Sequence, residues 1–132
     1  MTDLTEDTVV DGLCEWLVSE GWEVLSSRHA TAPGDDVHAK KGDIEIFIEC
    51  KGAVSKNGRT LDHWKCAAHA VFNAIRDAEC FRPDHLHGVA IPDSEKYRNL
   101  VGLLRSFFAR ENIAIFWVRS AKEVEVWWPT DL

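Results

Sequence analysis

Two carboxylates and a lysine stand out as the side chains able to do chemistry together. In the run from Gly42 to Gly52, Ile44, Ile46, Ile48 and Cys50 alternate strictly with Asp43, Glu45, Phe47, Glu49 and Lys51. Period two places Glu49 and Lys51 side by side on the polar face of a strand, their Cα atoms about 6.5–7 Å apart. Cys50, between them, points the opposite way into apolar packing. The polar run Pro33-Gly34-Asp35-Asp36-Val37 lies just upstream and brings another acid if the two segments pair. A carboxylate and an ammonium on one strand face, joined by an acid from a neighbouring strand, can bind a divalent metal and a phosphate together. The same residues also suit an ordinary salt-bridged surface between strands, and spacing alone leaves both readings open.

The elements that must position these residues follow from apolar periodicity. Residues 4–20 read as an amphipathic helix: Thr5, Glu6 and Asp7 suit its start, and Val9, Val10, Leu13, Trp16 and Leu17 form the stripe. Gly21 suits its stop. Residues 22–27 form a first strand and 36–39 a short second one. Lys40-Lys41-Gly42 then turns the chain back into the third strand as an antiparallel hairpin. A second helix spans about Leu61 to Glu79 with Trp64, Ala67, Ala68, Val71, Phe72 and Ile75 inward. Residues 86–91 form a fourth strand ended by Pro92. Asp93 or Ser94 caps a third helix reaching about Glu111, with Tyr97, Leu100, Val101, Leu104, Phe107 and Phe108 buried. The uniformly apolar run Ile113–Val118 predicts a strand inside the sheet. Val124–Trp128 gives the last strand and puts one indole of Trp127-Trp128 on each sheet face, for core packing or a dimer interface. The order αβββαβαββ, without repeat or linker, predicts a single α/β domain over residues 1–132 with helices on both faces of a mixed sheet.

Composition narrows the function classes. Of the 132 residues, 45% are apolar and 28% charged, which fits a globular core and excludes a disordered chain. No apolar run reaches membrane-spanning length, and the acidic start lacks the layout of a signal peptide, so the expectation is a cytoplasmic protein with no membrane partner. The net charge of −7 argues against nonspecific coating of nucleic acid. That charge is unevenly spread. Residues 1–27 hold acids and no Lys or Arg, whereas the stretch around the Glu49–Lys51 strand is the least acidic part of the chain. The four cysteines form no CxxC pair, and three of them sit among apolar or helical neighbours, where a free cysteine behaves as a small hydrophobe. His85 and His87 are the only closely spaced histidines, without the ligand spacings of a zinc site.

Taken with that layout, Pro33-Gly34-Asp35-Asp36-Val37 followed by Ile48-Glu49-Cys50-Lys51-Gly52 resembles the PD-(D/E)XK nuclease superfamily. This is the restriction-endonuclease-like fold, shared with archaeal Holliday-junction resolvases and with small uncharacterised members. The resemblance covers most of the chain. It implies that Asp36 is the motif aspartate, with Asp35 its one-residue rival, and that Glu49 and Lys51 complete the catalytic set. It further implies a metal, Mg²⁺ or Mn²⁺, on Asp36, Glu49 and the backbone carbonyl of Cys50. An additional acid from the first helix falls on Asp7 or Asp11. Where some relatives carry a helical glutamine after the lysine, this sequence offers His63 and Lys65.

The chemistry expected is metal-dependent hydrolysis of phosphodiester bonds by an endonuclease of defence, repair or recombination type, on DNA in preference to RNA. A homodimer is implied by analogy, since cutting two strands together needs two sites. A hard cation held by oxygen ligands lowers the pKa of a bound water and neutralises phosphate charge, while Lys51 orients that water or stabilises the charge developing on phosphorus. Lys56 and Arg59, with His63 and Lys65 beyond them, are candidate phosphate contacts or ordinary solvated positions. Two alternatives stay open: a non-catalytic module of the same fold that binds nucleic acid or protein, and a hydrolase acting on nucleotides.

Overall fold

The fold is a computed structural model that describes residues 4–27 and 36–130. A single six-stranded sheet runs through it, built from β1 (Glu23–Ser27), β2 (Val37–Lys41), β3 (Ile44–Cys50), β4 (Leu86–Pro92), β5 (Ile113–Ser120) and β6 (Glu123–Trp127), adjacent in that order. The hairpins β1–β2, β2–β3 and β5–β6 are antiparallel, whereas β3, β4 and β5 run parallel. The β2–β3 hairpin turns on Gly42, whose φ of +61° a two-residue turn requires and a side chain would resist. Helices fill the parallel crossovers, as parallel pairing demands. These are α2 (His63–Arg76) between β3 and β4, and α3 (Glu95–Val101) with α4 (Arg105–Arg110) between β4 and β5. The leading helix α1 (Glu6–Ser19) covers the other sheet face.

Each face has its own core. Val9, Val10, Leu13 and Leu17 of α1 pack on Ile46, Ile48, Cys50, Ala90 and Phe116. Opposite, Ala67, Ala70 and Ala74 of α2, with Tyr97, Val101 and Phe108, pack on Val89, Ile91, Ile115 and Trp117. The expected element order is observed. β5 lies inside the sheet between β4 and β6, and its first six residues are all buried. Trp128 stacks on Trp22 on the α1 side, with ring centroids 6.1 Å apart, while Trp127 meets Trp117 edge-on at 5.1 Å on the other.

Three expectations need correction. The inward face of α2 is Ala67, Ala70 and Ala74, whereas Trp64 and Phe72 are 70% and 62% exposed and Ala68 faces solvent. α2 packs on β3 and on β4, whose Val89 and Ile91 share its core, and it turns its small residues toward them. Second, α2 ends at Arg76, and a wider turn of the chain carries Asp77–Phe81. There Asp77 binds Arg82 through its side chain (2.7 Å) and through its carbonyl (2.8 Å). Third, the helix after Ser94 breaks into α3, a tight turn at Gly102–Leu104 and α4, and a Cβ added at Gly102 would lie 3.6 Å from the Trp127 indole. Leu104 consequently lies 40% exposed.

Candidate active site

Strand pairing sets the site. Val37 stands opposite Ile48, and because the strands are antiparallel, Asp36 one residue earlier comes level with Glu49. Strand pairing stops there, and the Asp36 carboxylate takes over as partner: its Oδ2 accepts the Cys50 backbone N–H at 2.7 Å. The N–H and C=O of an extended residue point to the same side, so the Cys50 carbonyl faces the same edge as Asp36. Lys51 turns the other way along the backbone, its N–H donating to Ala90 O of β4 at 3.0 Å. The site therefore lies at the carboxyl end of β3, at the boundary between the antiparallel and parallel halves of the sheet.

A third acid arrives from α1. Thr5 caps that helix, its hydroxyl accepting from Thr8 N at 3.1 Å, and Glu6 follows in the first turn. Gly52 allows the approach: a Cβ there would fall on the Glu6 nitrogen, the Thr5 carbonyl carbon and the Leu4 oxygen. Leu4 O in turn accepts from Ala53 N at 2.6 Å, tying the helix start to the segment after Lys51. The result places Glu6 Oε1 3.7 Å from Lys51 Nζ, with both side chains largely buried. Burial, and then the nearby Asp36 charge, push the Glu6 carboxyl above its ordinary range against the pull of Lys51. Burial first, then the negative charges of Asp36, Glu6 and Glu49, also hold the Cys50 thiol protonated. Three carboxylates therefore gather around one buried cysteine at a strand end.

From the opposite face α3 fixes the same turn. Tyr97, fully buried, donates its hydroxyl to Gly52 O at 2.7 Å, and His63 at the start of α2 packs on the Tyr97 ring with centroids 4.8 Å apart. Burial drives the Tyr97 phenol up, so it stays a donor at any ordinary pH.

The structure brings Asp36, Glu49 and Lys51 together. Asp35 lies outside the described residues. The first-helix acid at the site is Glu6, in place of Asp7 or Asp11. Asp7 reaches toward Lys56 instead (3.9 Å), and Asp11 lies exposed a turn further along. A helix turn of 3.6 residues points consecutive side chains about 100° apart, so the choice between Glu6 and Asp7 depends on how α1 docks. A first-turn glutamate directly after a capping threonine was the available signal. Lys56 and Arg59 are exposed in the loop beyond the site, Lys65 is exposed on α2, and His63 is half-buried. Glu45, on the β2–β3 hairpin, accepts from His38 at 2.9 Å and lies 3.4 Å from His85. His87 is buried and bonds Arg82 O at 2.8 Å. Among the described residues, no group of three or more His, Cys, Asp or Glu side chains could hold a metal ion. What the strand end offers a cation is narrower: carboxylate oxygens and one backbone carbonyl, hard donors crowded enough to raise Glu6. That set fits a cation that keeps several of its own waters, as Mg²⁺ does.

No protein-family model matches the chain, and no curated protein matches it. Among solved structures, an XisH family protein from Nostoc punctiforme PCC 73102 aligns with 90% of this chain and 97% of its own, at a TM-score of 0.56 and 12% sequence identity. At that identity the likeness concerns the fold alone. With its hairpin, parallel crossover strands and helices on both faces, this chain has a mixed α/β fold matching the restriction-endonuclease-like class.

Proposed function

We propose that this protein is a metal-dependent nuclease that hydrolyses phosphodiester bonds, DNA being its favoured polymer. The observation that carries the reading is the convergence of Asp36, Glu49 and Glu6 beside Lys51 at the end of one strand. Asp36, Glu49 and the Cys50 carbonyl would hold Mg²⁺ or Mn²⁺, which lowers the pKa of a bound water and offsets phosphate charge. Lys51 would orient an attacking water or a nonbridging phosphate oxygen, and would supply positive charge as negative charge builds on phosphorus. Glu6 holds that ammonium in place, and burial beside Asp36 raises its affinity for a proton. Lys56 and Arg59, exposed in the loop beyond the site, would contact the flanking phosphates. Action in the cytoplasm, and as a pair of chains when both strands are cut, belong to the same proposal.

Cleavage of supercoiled plasmid, single-stranded DNA and a four-way junction tests it, each with Mg²⁺, Mn²⁺ or EDTA, for wild type beside Glu49→Ala. Metal-dependent cutting that the variant loses is the expected result. Cutting that survives in a folded Glu49→Ala protein would sink the assignment. A second reading, a non-catalytic module of the same fold, is favoured by one feature: Lys51 is already paired with Glu6. It predicts no heat of Mg²⁺ or Mn²⁺ binding that depends on Glu49, a result calorimetry would give directly.

A further inference from the structure

Tyr97 carries a polar atom into an apolar core. Its ring is fully buried with Val89, Ile91 and Trp117, where Phe would fill the space and bring no hydroxyl to satisfy. That hydroxyl donates to Gly52 O at 2.7 Å. Burial, and then the Cys66 thiol beside it, keep the phenol protonated and so a donor to that carbonyl.

The peptide it holds comes directly after Lys51. β3 ends at Cys50, so Lys51 and Gly52 lie past the last strand pairs. Gly52 has no side chain to restrict its own backbone, and none fits, because a Cβ would fall on the start of α1. Neighbours must therefore set its place. The Gly52 carbonyl and the Ala53 N–H belong to one planar trans peptide and point to opposite sides of it. Tyr97 of α3 bonds the carbonyl from one helical layer, and Leu4 O, leading into α1 on the other, accepts the N–H at 2.6 Å. Lys51 precedes this peptide by one residue, and Glu6 follows Leu4 by two, so both partners of the 3.7 Å Lys51–Glu6 pair hang from it. Lys51 N–H is fixed separately, on Ala90 O of β4 at 3.0 Å. Of these three bonds, the one from Tyr97 is made by a side chain, and a substitution can remove it.

We propose that Tyr97 is a positioning residue for the cleavage step: by clamping the Gly52–Ala53 peptide against the start of α1, it holds the Lys51 ammonium in register with Asp36 and Glu49. The inference rests on the nuclease reading and extends its machinery to α3, which carries none of the charged groups of the site. Lys51 Nζ ends a flexible four-carbon stem, so a rotation of the backbone beneath it is magnified at the ammonium. A misplacement of about 1 Å at a reacting group costs about a hundredfold in rate.

Tyr97→Phe in the intact chain tests this, with Ile113→Val as its control. Ile113 is buried in the same core, at the first residue of β5 and thus at the opposite end of the sheet, so its variant loses stability without touching the clamp. Single-turnover cleavage of the preferred substrate is measured with saturating Mg²⁺, well below either melting temperature. It should slow about tenfold in Tyr97→Phe and less than about twofold in Ile113→Val, with affinity for the substrate within about twofold of wild type in both. In a Lys51→Ala background, Tyr97→Phe should add no further loss, because the group it positions is gone. Deuterium uptake by residues 50–55 should quicken in Tyr97→Phe and not in Ile113→Val, a readout independent of cleavage. Cutting by Tyr97→Phe at the control's rate, a loss of affinity in place of rate, a full further loss in the Lys51→Ala background, or unchanged uptake would each overturn the inference and leave the nuclease reading standing. If wild type cuts no nucleic acid with any metal, the nuclease reading itself fails, and this inference with it.

Discussion

Glu6 illustrates how a functional carboxylate weighs on the fold that holds it. Its ordinary pKa is 4.5, and burial together with the Asp36 charge raises it in the folded chain. Below about pH 4 the group is protonated in both folded and unfolded chains and contributes nothing. As pH rises past the ordinary value, the unfolded chain ionises more readily than the folded one, so stability falls until the raised value is passed. Glu6→Gln should therefore raise the melting temperature at neutral pH and leave it unchanged near pH 4, while lowering cleavage. An equal gain at both pH values would show that burial of the charge is not the cause. Lys51→Ala should remove cleavage by at least a hundredfold in a folded protein, measured as single-turnover rate on the preferred substrate.

At the scale of elements, the site depends on contacts between pieces far apart in sequence. Tyr97 belongs to α3 yet fixes Gly52 O. Tyr97→Phe leaves that buried carbonyl without its donor and should cost about 1–2 kcal/mol in urea unfolding. Asp93, at the end of β4, gathers Arg98 of α3 and Arg119 of β5 at 2.7 and 2.6 Å, and Arg98 continues to Glu125 of β6 at 2.6 Å. The hydrogen bond from Arg98, outweighing burial, holds the Asp93 carboxyl below its usual range. Its stabilising contribution is present above the ordinary aspartate value of 3.8 and is lost as pH falls through the lowered one. Asp93→Ala should destabilise by about 2–3 kcal/mol. That is less than for a fully buried pair, because both arginines reach solvent. A change under about 0.5 kcal/mol would show that the clasp does not hold these elements.

Over the whole molecule, both cores close on the same six strands, with α1 on one face and α2, α3 and α4 on the other. Tryptophans report on each side: Trp22 and Trp128 with α1, Trp117 and Trp127 opposite. Tryptophan fluorescence and far-ultraviolet circular dichroism should therefore give one coincident denaturant transition. Separate midpoints would show that a helical layer detaches before the sheet melts.

Local pattern determined a good deal. The alternation from Ile44 to Lys51 fixed which face of β3 is apolar, and the turn at Gly42 fixed the hairpin that brings Asp36 beside Glu49. The order of helices and strands followed from periods of 3.6 and 2, because each element shows its own spacing in its own residues. Tertiary structure decided what no single segment contains. How α1 docks, permitted by the missing side chain at Gly52, chose Glu6 over Asp7 and Asp11. Packing against Val89 and Ile91 of β4 set α2 on its alanines, with Trp64 and Phe72 out in solvent. The physical reason is the same in both cases: a helix's apolar pattern gives its inward face only to within a residue or two, and close packing against a particular partner chooses among the registers that remain.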